Sequence, residues 1–528
     1  MIGKIPLLVR TVKHLKPVQV FYQVYNRLKS KPVLTAFSVK TKHHPGAELL
    51  KFQLRFSADK ALTINNSFTF LNLEHSFYDK IDWNYQAYGK LWNYNLQYFN
   101  FLHQEDIANQ KKQNLLKDIG LWLKEGKLPL EPYPVSLRVM NTIRYISVED
   151  VNDPVINGDL LAQLTYLSKN LEYHLLGNHL LENAFALFMG AHVFNSTPWR
   201  EKAKSILYQQ LKEQVLNDGG HFELSPMYHQ IILFRLIELV DWYRDVLNKD
   251  DLFLAFVTKK ASEMLSWLTN ITFNNGDIPH FNDSATGIAF TSHQLFGFAH
   301  QLGIKANDKL MLAGSGYRKF SFNAYECVVD VGAIGPSYQP GHSHADALSF
   351  VLYSKDLPII VDVGTSTYQI GDKRNFERST NAHNTVEIGC ANQSEVWGGF
   401  RVGRRAEVTI LEDTKNRLSA SHNGYRSKFA AKHQRSFSFE DNRIHIDDII
   451  YTDSNPLCGA LFHFHPDCRI QIEGKDKVLI NDIATIIFTN ATEVYMQEYE
   501  LANGYNRYLM AVCLAVSFNK TLNTVIAF

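Results

Sequence analysis

The chain of 528 residues lacks the features that mark several large classes of protein. No apolar run approaches the roughly 20 residues that a helix needs to cross a bilayer. The 54 basic and 53 acidic residues leave a formal net charge of +1, so the overall charge does not indicate a nucleic-acid partner. A hydrophobic fraction of 45% and a charged fraction of 20% exclude a disordered or fibrous chain.

Cysteine is scarce, and its spacing fits neither a disulfide framework nor a zinc ribbon, because the five cysteines are scattered and form no CxxC pair. The first 32 residues are predicted to form a basic amphipathic helix rather than a signal peptide, since no small-residue cleavage site follows. We therefore expect a cytoplasmic protein, with the periplasm as the alternative. The helix is expected to pack on its own domain, with contact to a membrane surface as the alternative.

The hydrophobic pattern changes character near Gly314. From about Leu91 to Leu312 the apolar spacing is helical, as expected for helices that pack in a ring or layered array. After Phe320, short runs rich in Val, Ile, Phe and Thr predict an antiparallel β-sandwich. We predict a multidomain α+β protein, with a helical and irregular segment at 1–75, a helical domain at 76–312 and a sheet domain at 313–528.

Two short sequence motifs predict the positions of a hairpin turn and of a helix start. In the stretch ALSFVLYSKDLPIIVDVG, the residues Lys355 and Asp356 are predicted to lie near the turn of a hairpin. In SPMYHQ, Ser225 can cap a helix whose first position is Pro226, where no amide hydrogen is needed.

Two helical motifs carry candidate functional residues. In GNHLLENA, Asn178 and Glu182 lie one turn apart with His179 beside them, although satisfied core groups are the alternative. In DGGHFELSPMYHQ, Tyr228 falls in the first turn of a helix, where the helix dipole favours a tyrosinate or a bound anion. A tyrosine packed under a helix cap is the alternative.

The motif PGHSHADALSF places two histidines close together. If this stretch is a strand, His342, His344 and Asp346 project from the same face. Two adjacent imidazoles indicate either half of a metal site or a base beside a ligand.

The stretch from VDVGTSTY to RSTNAHNTVEIG adds further polar candidates. The side chains of His344, Asp362 and His383 could supply two nitrogens and an oxygen to zinc, with a fourth position open. The guanidinium groups of Arg374 and Arg378 could pair with glycan carboxylates, and a salt-bridged sheet face is the alternative.

Taken in order, GNHLLENA, DGGHFELSPMYH, GHSHADALSF and RSTNAHNTV resemble the motifs of the heparinase II/III-like polysaccharide lyases. LWNYNLQYFNFL, EPYPVSLR and SEVWGGFRVGRRA are similar to other parts of that family, so the resemblance extends over roughly 82–406. It implies an incomplete α/α toroid followed by antiparallel β-sheets, with the active site between them.

The resemblance also implies roles for matching residues. Asn178 or His179 would neutralise a uronate carboxylate, Tyr228 would lie at the bond that is cut, and His342 would be the second proton-transfer group. The set His344, Asp362 and His383 would match the structural zinc ligands of part of the family, with calcium as an alternative metal. The predicted substrate-binding residues are Glu182, Tyr368, Arg374 and Arg378.

The predicted function is therefore β-elimination on an acidic polysaccharide at a uronic acid. The absence of a secretion signal suggests a role in a pathway that produces an exopolysaccharide. A uronate C-5 epimerase of the same architecture is the nearest alternative, followed by a non-catalytic glycan-binding protein and by a zinc hydrolase. The sequence does not indicate an oligomeric state.

Overall fold

A computed structural model describes residues 5–29, 32–38, 48–245, 252–307 and 310–528. The first elements are two helices and a small antiparallel hairpin: α1 Ile5–Val12, α2 Pro17–Leu28, β1 Ser67–Phe70 and β2 Leu73–Ser76. The N-terminal segment thus forms two helices instead of the predicted one. Pro17 has no backbone N–H to donate to the carbonyl four residues earlier, so the first helix cannot continue through it. Residues 1–4, 30 and 31 of the predicted helix lie outside the described residues.

The helical region follows the sequence prediction closely. Its helices are α3 Lys90–Tyr98, α4 Asn109–Lys124, α5 Pro132–Val148, α6 Pro154–Lys169, α7 Gly177–Val193, α8 Thr197–Gln214, α9 Pro226–Tyr243, α10 Leu252–Ile271 and α11 Ser292–Gln301. Prolines stand at the first or second position of α5, α6, α8 and α9, where the missing amide hydrogen has no cost. Every residue of α7 except His179 is buried, which makes α7 a central helix of this region.

The sheet region begins with the antiparallel strands β3 Tyr317–Ser321, β4 Glu326–Asp330, β5 Phe350–Ser354 and β6 Leu357–Ile360. The chain continues through α12 Asp372–Glu377, β7 Val386–Ile388, β8 Val396–Trp397, β9 Arg401–Val402, β10 Val408–Asp413, β11 Arg417–His422, α13 Arg426–Phe429, β12 Lys432–Glu440, β13 Arg443–Tyr451, β14 Cys458–His463, β15 Ile470–Glu473, β16 Lys477–Ile480, β17 Ala484–Ala502 and β18 Tyr508–Ala527. The larger sheet has the order β10-β11-β12-β13-β18-β17-β16-β15, and β14 pairs with β18 and β7.

The four-stranded sheet is a middle layer between the helices and the larger sheet. Along β5, Phe350 and Leu352 pack into the core of the larger sheet, whereas Val351 and Tyr353 pack into the helical core. Successive side chains of a strand point to opposite faces, so a strand that is covered on both faces needs apolar residues at consecutive positions. The run FVLY meets this requirement, and every residue of β5 is buried.

Both local predictions are confirmed. Lys355 and Asp356 connect β5 to β6 with φ angles of 48° and 67°, the left-handed conformation of a tight hairpin turn. Ser225 precedes α9, and its hydroxyl oxygen accepts from the backbone amide of Tyr228 at 3.2 Å.

The strand considered for PGHSHADALSF is wrong in its position, because residues 341–348 form turns and irregular backbone and β5 begins only at Phe350. In this stretch Nδ1 of His342 donates to the side chain of Asp283 and the backbone amide of His344 donates to the side chain of Asn282, both in the loop between α10 and α11. Among the helices of the described residues, none is long and apolar enough to span a bilayer.

Candidate active site

Polar side chains from both regions meet where α7 and α9 begin. The backbone amide of Asn178 donates to Oε1 of Glu223 at 3.0 Å, and its side-chain Nδ2 donates to Oε2 at 2.9 Å. Glu223 also lies near His342, whose Nε2 is 3.6 Å from Oε2 of the same carboxylate. Glu223 thus connects the first turn of α7 to the loop before β5.

The entry into α7 has an unusual backbone that brings Asn178 to Glu223. Leu176 and Gly177 have φ angles of 62° and 57°, a conformation that costs a glycine little. A side chain at Gly177 would also meet Oε1 of Gln339 at 1.9 Å and Oε1 of Glu223 at 2.6 Å. Glycine is therefore required here for both backbone conformation and close approach.

His179 is the residue of α7 that is not fully buried, with 29% of its side chain exposed. The partly exposed side chains of His179, Tyr228 and His342 mark the surface that we call the cleft. Its Nδ1 lies 3.2 Å from Oε1 of Glu172, and its ring lies against that of Tyr133 with centroids 4.4 Å apart. Removal from water lowers the pKa of His179, but the charge and hydrogen bond of Glu172 outweigh that effect, so the pKa is raised. The imidazolium form therefore persists to higher pH than in a free histidine.

Tyr228 and His342 form the centre of the site. Their ring centroids are 4.0 Å apart, and the Tyr228 hydroxyl lies 3.2 Å from the hydroxyl of Tyr368. Burial holds the pKa of the Tyr228 phenol well above its usual value. At neutral pH this phenol is protonated and can donate a proton.

A buried carboxylate, that of Asp283, holds the sheet side of the site together. Its two oxygens accept from Nδ1 of His342 at 2.9 Å, from Nε2 of His344 at 2.8 Å and from Nη2 of Arg374 at 2.7 Å. Burial raises the pKa of Asp283, but Arg374 and the two histidines hold it well below its usual value. Because an ionised carboxylate only accepts, His342 donates through Nδ1 and keeps Nε2 as its basic nitrogen.

Sequence reasoning missed both carboxylates. Asp283 lies in the loop segment HFNDSA between α10 and α11, and Glu223 lies in the motif DGGHFELSPMYHQ, in which the helix start indicates only Tyr228. The sequence feature that could have indicated Asp283 is a polar triplet, residues 282–284, between the apolar Phe281 and Ala285. Its partners are 59 and 91 positions away in the chain, so their identity could not be read from local spacing.

The four predicted substrate-binding residues differ in burial, since one is partly exposed and three are buried. Tyr368 is half-buried beside Tyr228, in contact with the cleft. Arg374 is fully buried on Asp283, and Arg378 is buried with its guanidinium donating to the carbonyl of Ser343 at 2.8 Å. The carboxylate of Glu182, which is also buried, accepts from Arg235 at 3.0 and 3.2 Å. These positions give Arg374, Arg378 and Glu182 supporting contacts, and their predicted binding roles stay predictions.

The predicted zinc ligands lie together, but Asp362 contacts one of the histidines. His344 and His383 have ring centroids 5.2 Å apart, and Nδ1 of His383 donates to Asp362 at 2.7 Å. Within the described residues, no group of three or more His, Cys, Asp or Glu side chains is arranged as metal ligands.

Three buried atoms of this cluster nevertheless suit a metal. Nδ1 of His344, Nε2 of His383 and Oδ2 of Asp346 have no hydrogen-bond partner among the described residues. The other ring nitrogen of each histidine donates a hydrogen bond to a carboxylate, from His344 to Asp283 and from His383 to Asp362. The nitrogen without a partner then carries a lone pair, as in metal-bound histidines. A cavity of about 250 Å³ lined in part by Asp277, His280 and Asp362 adjoins the cluster. These three atoms are thus of the kinds that bind zinc, although their side chains are not arranged as a complete ligand set within the described residues.

Replacing Asp283 by Asn should destabilise the protein, because the buried Arg374 would lose its anionic partner. Breaking a buried ion pair typically costs about 3 to 5 kcal/mol. We expect a fall of that size in the free energy of unfolding, measured by urea denaturation. Asp59→Asn, at an exposed position, is the matched control, and equal stability of the two variants would contradict the role of Asp283.

Two family models match the chain. The model described as heparinase II/III N-terminus matches residues 148–300, and the model described as heparinase II/III-like, C-terminal, matches residues 305–519. Together they include the residues of the site named above except Tyr133, which precedes the first range.

Two curated relatives are each named heparin-sulfate lyase. The protein of Bacteroides stercoris is 23% identical over 299 residues, covering 51% of this chain and 43% of that protein. The protein of Pedobacter heparinus is 28% identical over 311 residues, covering 52% of this chain and 46% of that protein. In these alignments the chain spans about half the length of the curated relatives it matches.

Solved structures share the fold at low sequence identity. A crystal structure of heparinase III has a TM-score of 0.71 at 16% identity, covering 99% of this chain and 93% of that chain. A heparan sulfate lyase HepC mutant from Pedobacter heparinus has a TM-score of 0.60 at 19% identity, covering 96% and 87%. The predicted fold class, an incomplete α/α toroid followed by an antiparallel β-sandwich, is confirmed. With both family models matched, the chain belongs to the heparinase II/III-like family.

Proposed function

We propose that this protein is a polysaccharide lyase that cleaves an acidic glycan by β-elimination at a uronic acid. The observation that carries the proposal is the pairing of the Tyr228 phenol with the His342 imidazole, 4.0 Å between ring centroids, at a cleft that also holds His179. The lyase names of the curated relatives support the same reaction class.

The first requirement of the reaction is neutralisation of the uronate carboxylate. The proton on the carbon next to a carboxylate is barely acidic while that group keeps its full charge. A cationic donor at the carboxylate stabilises the enolate-like transition state, in which negative charge accumulates on those oxygens. We assign this role to His179, because Glu172 keeps it cationic and its side chain is partly open to the cleft. Asn178, whose Nδ2 is bound to Glu223, positions the turn that carries His179.

The second requirement is a pair of proton-transfer groups. Nε2 of His342 takes the proton from C5, and the released electron pair forms the C4–C5 double bond as the bond from C4 to the glycosidic oxygen breaks. The protonated phenol of Tyr228 then donates its proton to the departing oxygen. Where both atoms lie on the same face of the sugar, a Tyr228 phenolate, formed by loss of the phenol proton to solvent, could take the C5 proton and return it to the departing oxygen. The two variants below distinguish these routes.

The substrate we propose is a glycan rich in uronic acid. Heparin and heparan sulfate are the first candidates, because both curated relatives are named heparin-sulfate lyase and one similar solved structure is named a heparan sulfate lyase. An exopolysaccharide of the producing organism is the second candidate. A C-5 epimerase would use the same carboxylate neutralisation and proton removal but would return a proton to the opposite face without breaking the chain.

The variants Tyr228→Phe and His342→Ala should each lower turnover by about 100- to 10,000-fold, since each removes a proton-transfer group. Turnover is measured as the rise in ultraviolet absorbance of the unsaturated uronate, on heparan sulfate, hyaluronan, alginate, glucuronan and the exopolysaccharide. Tyr78→Phe, at an exposed position, and His445→Ala, at a partly exposed position of β13, are matched controls.

The outcomes separate the candidate reactions. Wild-type turnover in Tyr228→Phe would contradict the mechanism, and full activity in His342→Ala alone would assign both steps to Tyr228. If no substrate gives an absorbance rise but an intact polymer takes up solvent deuterium, the protein is an epimerase. If neither signal appears while a glycan still binds, the protein is a binding protein.

Glu172→Gln tests the role of His179 through pH. Without the negative partner the pKa of His179 falls, so its cationic form is lost at lower pH. We expect the alkaline limb of the kcat/KM profile to move to lower pH, so that kcat/KM of the variant falls below the wild-type value on that limb. Glu105→Gln, at an exposed position, is the control, and an unshifted alkaline limb in Glu172→Gln would contradict the assignment.

We further propose that the cluster behind His342 binds a structural metal ion, zinc first and calcium as the alternative. His344 and His383 would supply nitrogen ligands, and Asp362 or Asp346 would supply the carboxylate. When bound, the ion would contribute folding free energy and fix the loop that carries His342. The support for this proposal is the set of buried donor atoms without a protein partner.

His344→Ala and His383→Ala should each remove bound metal, measured by elemental analysis, and lower the midpoint of thermal unfolding. His445→Ala is the control because it lies on the exposed face of β13. Comparing Asp346→Asn with Asp362→Asn identifies the carboxylate ligand. Wild-type protein that contains no stoichiometric metal after purification and dialysis against zinc or calcium would contradict this proposal.

A further inference from the structure

The two N-terminal helices, α1 and α2, turn their apolar sides outward. The exposed apolar residues of α1 are Ile5, Leu8, Val9 and Val12, and those of α2 are Val20, Phe21, Val24, Tyr25 and Leu28. Within each helix these positions are three or four residues apart or adjacent, so they form one stripe along the helix. Phe21 is 63% exposed and Leu28 is 83% exposed, so the stripe of α2 is open to solvent.

The opposite side of α2 packs on the protein through polar contacts. Nε2 of Gln19 donates to the carbonyl of Leu175 at 3.2 Å, and Gln19 is the buried residue of the helix. Nδ2 of Asn26 lies 3.2 Å from Nδ1 of His174, and Nζ of Lys29 donates to Asn170 at 2.6 Å. Apolar contacts on this side come from Val18, which packs on the helical core, and the Tyr22 ring, which stacks on that of Tyr173. The wider apolar stripe of α2 faces solvent, the reverse of an ordinary surface helix, in which that stripe packs on the core.

The same segment carries a strong positive charge. The first 47 residues contain nine of the 54 lysines and arginines and not one aspartate or glutamate. The remaining residues therefore hold 45 basic against 53 acidic side chains, so the chain is basic at this end and acidic elsewhere. Lys13, directly after α1, and Arg27 of α2 are both exposed.

We propose that α1 and α2 bind the surface of a membrane that contains anionic lipids. The apolar stripes would enter the boundary between headgroups and acyl chains, and the basic side chains would contact the anionic headgroups. A membrane is favoured over a second copy of the chain, because the helices of two copies would bring two basic segments together, whereas anionic lipid complements their charge. This proposal is independent of the reaction at the active site.

The bound helices would place the active-site cleft close to the membrane. Arg10 of α1 donates to both oxygens of Glu395 at 2.8 Å, and Nε1 of Trp397 donates to Thr11 at 3.2 Å. Trp397 belongs to the β8–β9 hairpin, whose tip carries Phe400, 5.0 Å from the ring of Tyr368 in the cleft. On the other side, α2 packs on residues 170–175, which include Glu172, the partner of His179. A glycan close to the membrane would therefore be within reach of the site.

Co-sedimentation of the full chain with lipid vesicles tests the proposal. We expect binding to vesicles of equal parts phosphatidylglycerol and phosphatidylcholine, weak binding to phosphatidylcholine alone, and release at high salt. The double variant Phe21→Glu/Leu28→Glu should lower partitioning to the anionic vesicles at least about tenfold, because charge replaces inserted apolar area. Ile64→Glu and Met311→Glu, exposed apolar positions outside α1 and α2, should leave partitioning unchanged.

Two outcomes would overturn the proposal. The first is a vesicle experiment in which the apolar stripe has no effect: either the wild-type chain does not bind anionic vesicles, or Phe21→Glu/Leu28→Glu partitions to them as the wild type does. The second is a dimer in lipid-free sedimentation velocity that Phe21→Glu/Leu28→Glu converts to a monomer, since the stripe would then be covered by a second copy. An unchanged midpoint of thermal unfolding in the double variant would show that the loss of membrane binding is not a loss of folding.

Discussion

The carboxylate of Asp283 is the interaction on which the site depends. It is fully buried and accepts hydrogen bonds from His342, His344 and Arg374. A buried carboxylate without such partners would cost several kcal/mol, so these residues can occupy their observed positions only together. Its backbone amide also donates to the carbonyl of His342 at 3.1 Å, which ties the loop between α10 and α11 directly to the loop before β5.

This constraint extends to the helical side through short contacts. The hydroxyl of Ser225 donates to the carbonyl of Asp283 at 2.7 Å and also caps the helix that begins with Tyr228. Glu223, two residues earlier, holds Asn178 and lies beside His342. The proposed acid, base and cationic donor therefore come from both regions but share one hydrogen-bonded frame. A reaction that requires three groups in register benefits from such a frame, because small displacements lower the rate steeply.

Much of the fold was predictable because its signals are local. The change from helical spacing to strand-like runs, the cap at Ser225 and the turn at Lys355 and Asp356 each depend on a few neighbouring residues. The strand considered for residues 342–346 was wrong because polar residues beside an apolar run fit both a strand and an irregular loop. The irregular loop is stabilised by residues that are distant in the sequence, such as Asn282, whose side-chain oxygen accepts from the backbone amide of His344 at 2.9 Å.

The sequence by itself determined the order of helices and strands, the family motifs and the residue types that proton transfer requires, because periodicity and composition act over short stretches of chain. Only the tertiary structure decided which of those residues face the cleft. It assigned Arg374 and Arg378 to buried supporting contacts, left His179 at the surface of a buried helix, and added Asp283 and Glu223 to the site. The physical reason is that burial and ion pairing depend on partners as many as 91 positions away, and a single sequence does not record which distant residues meet.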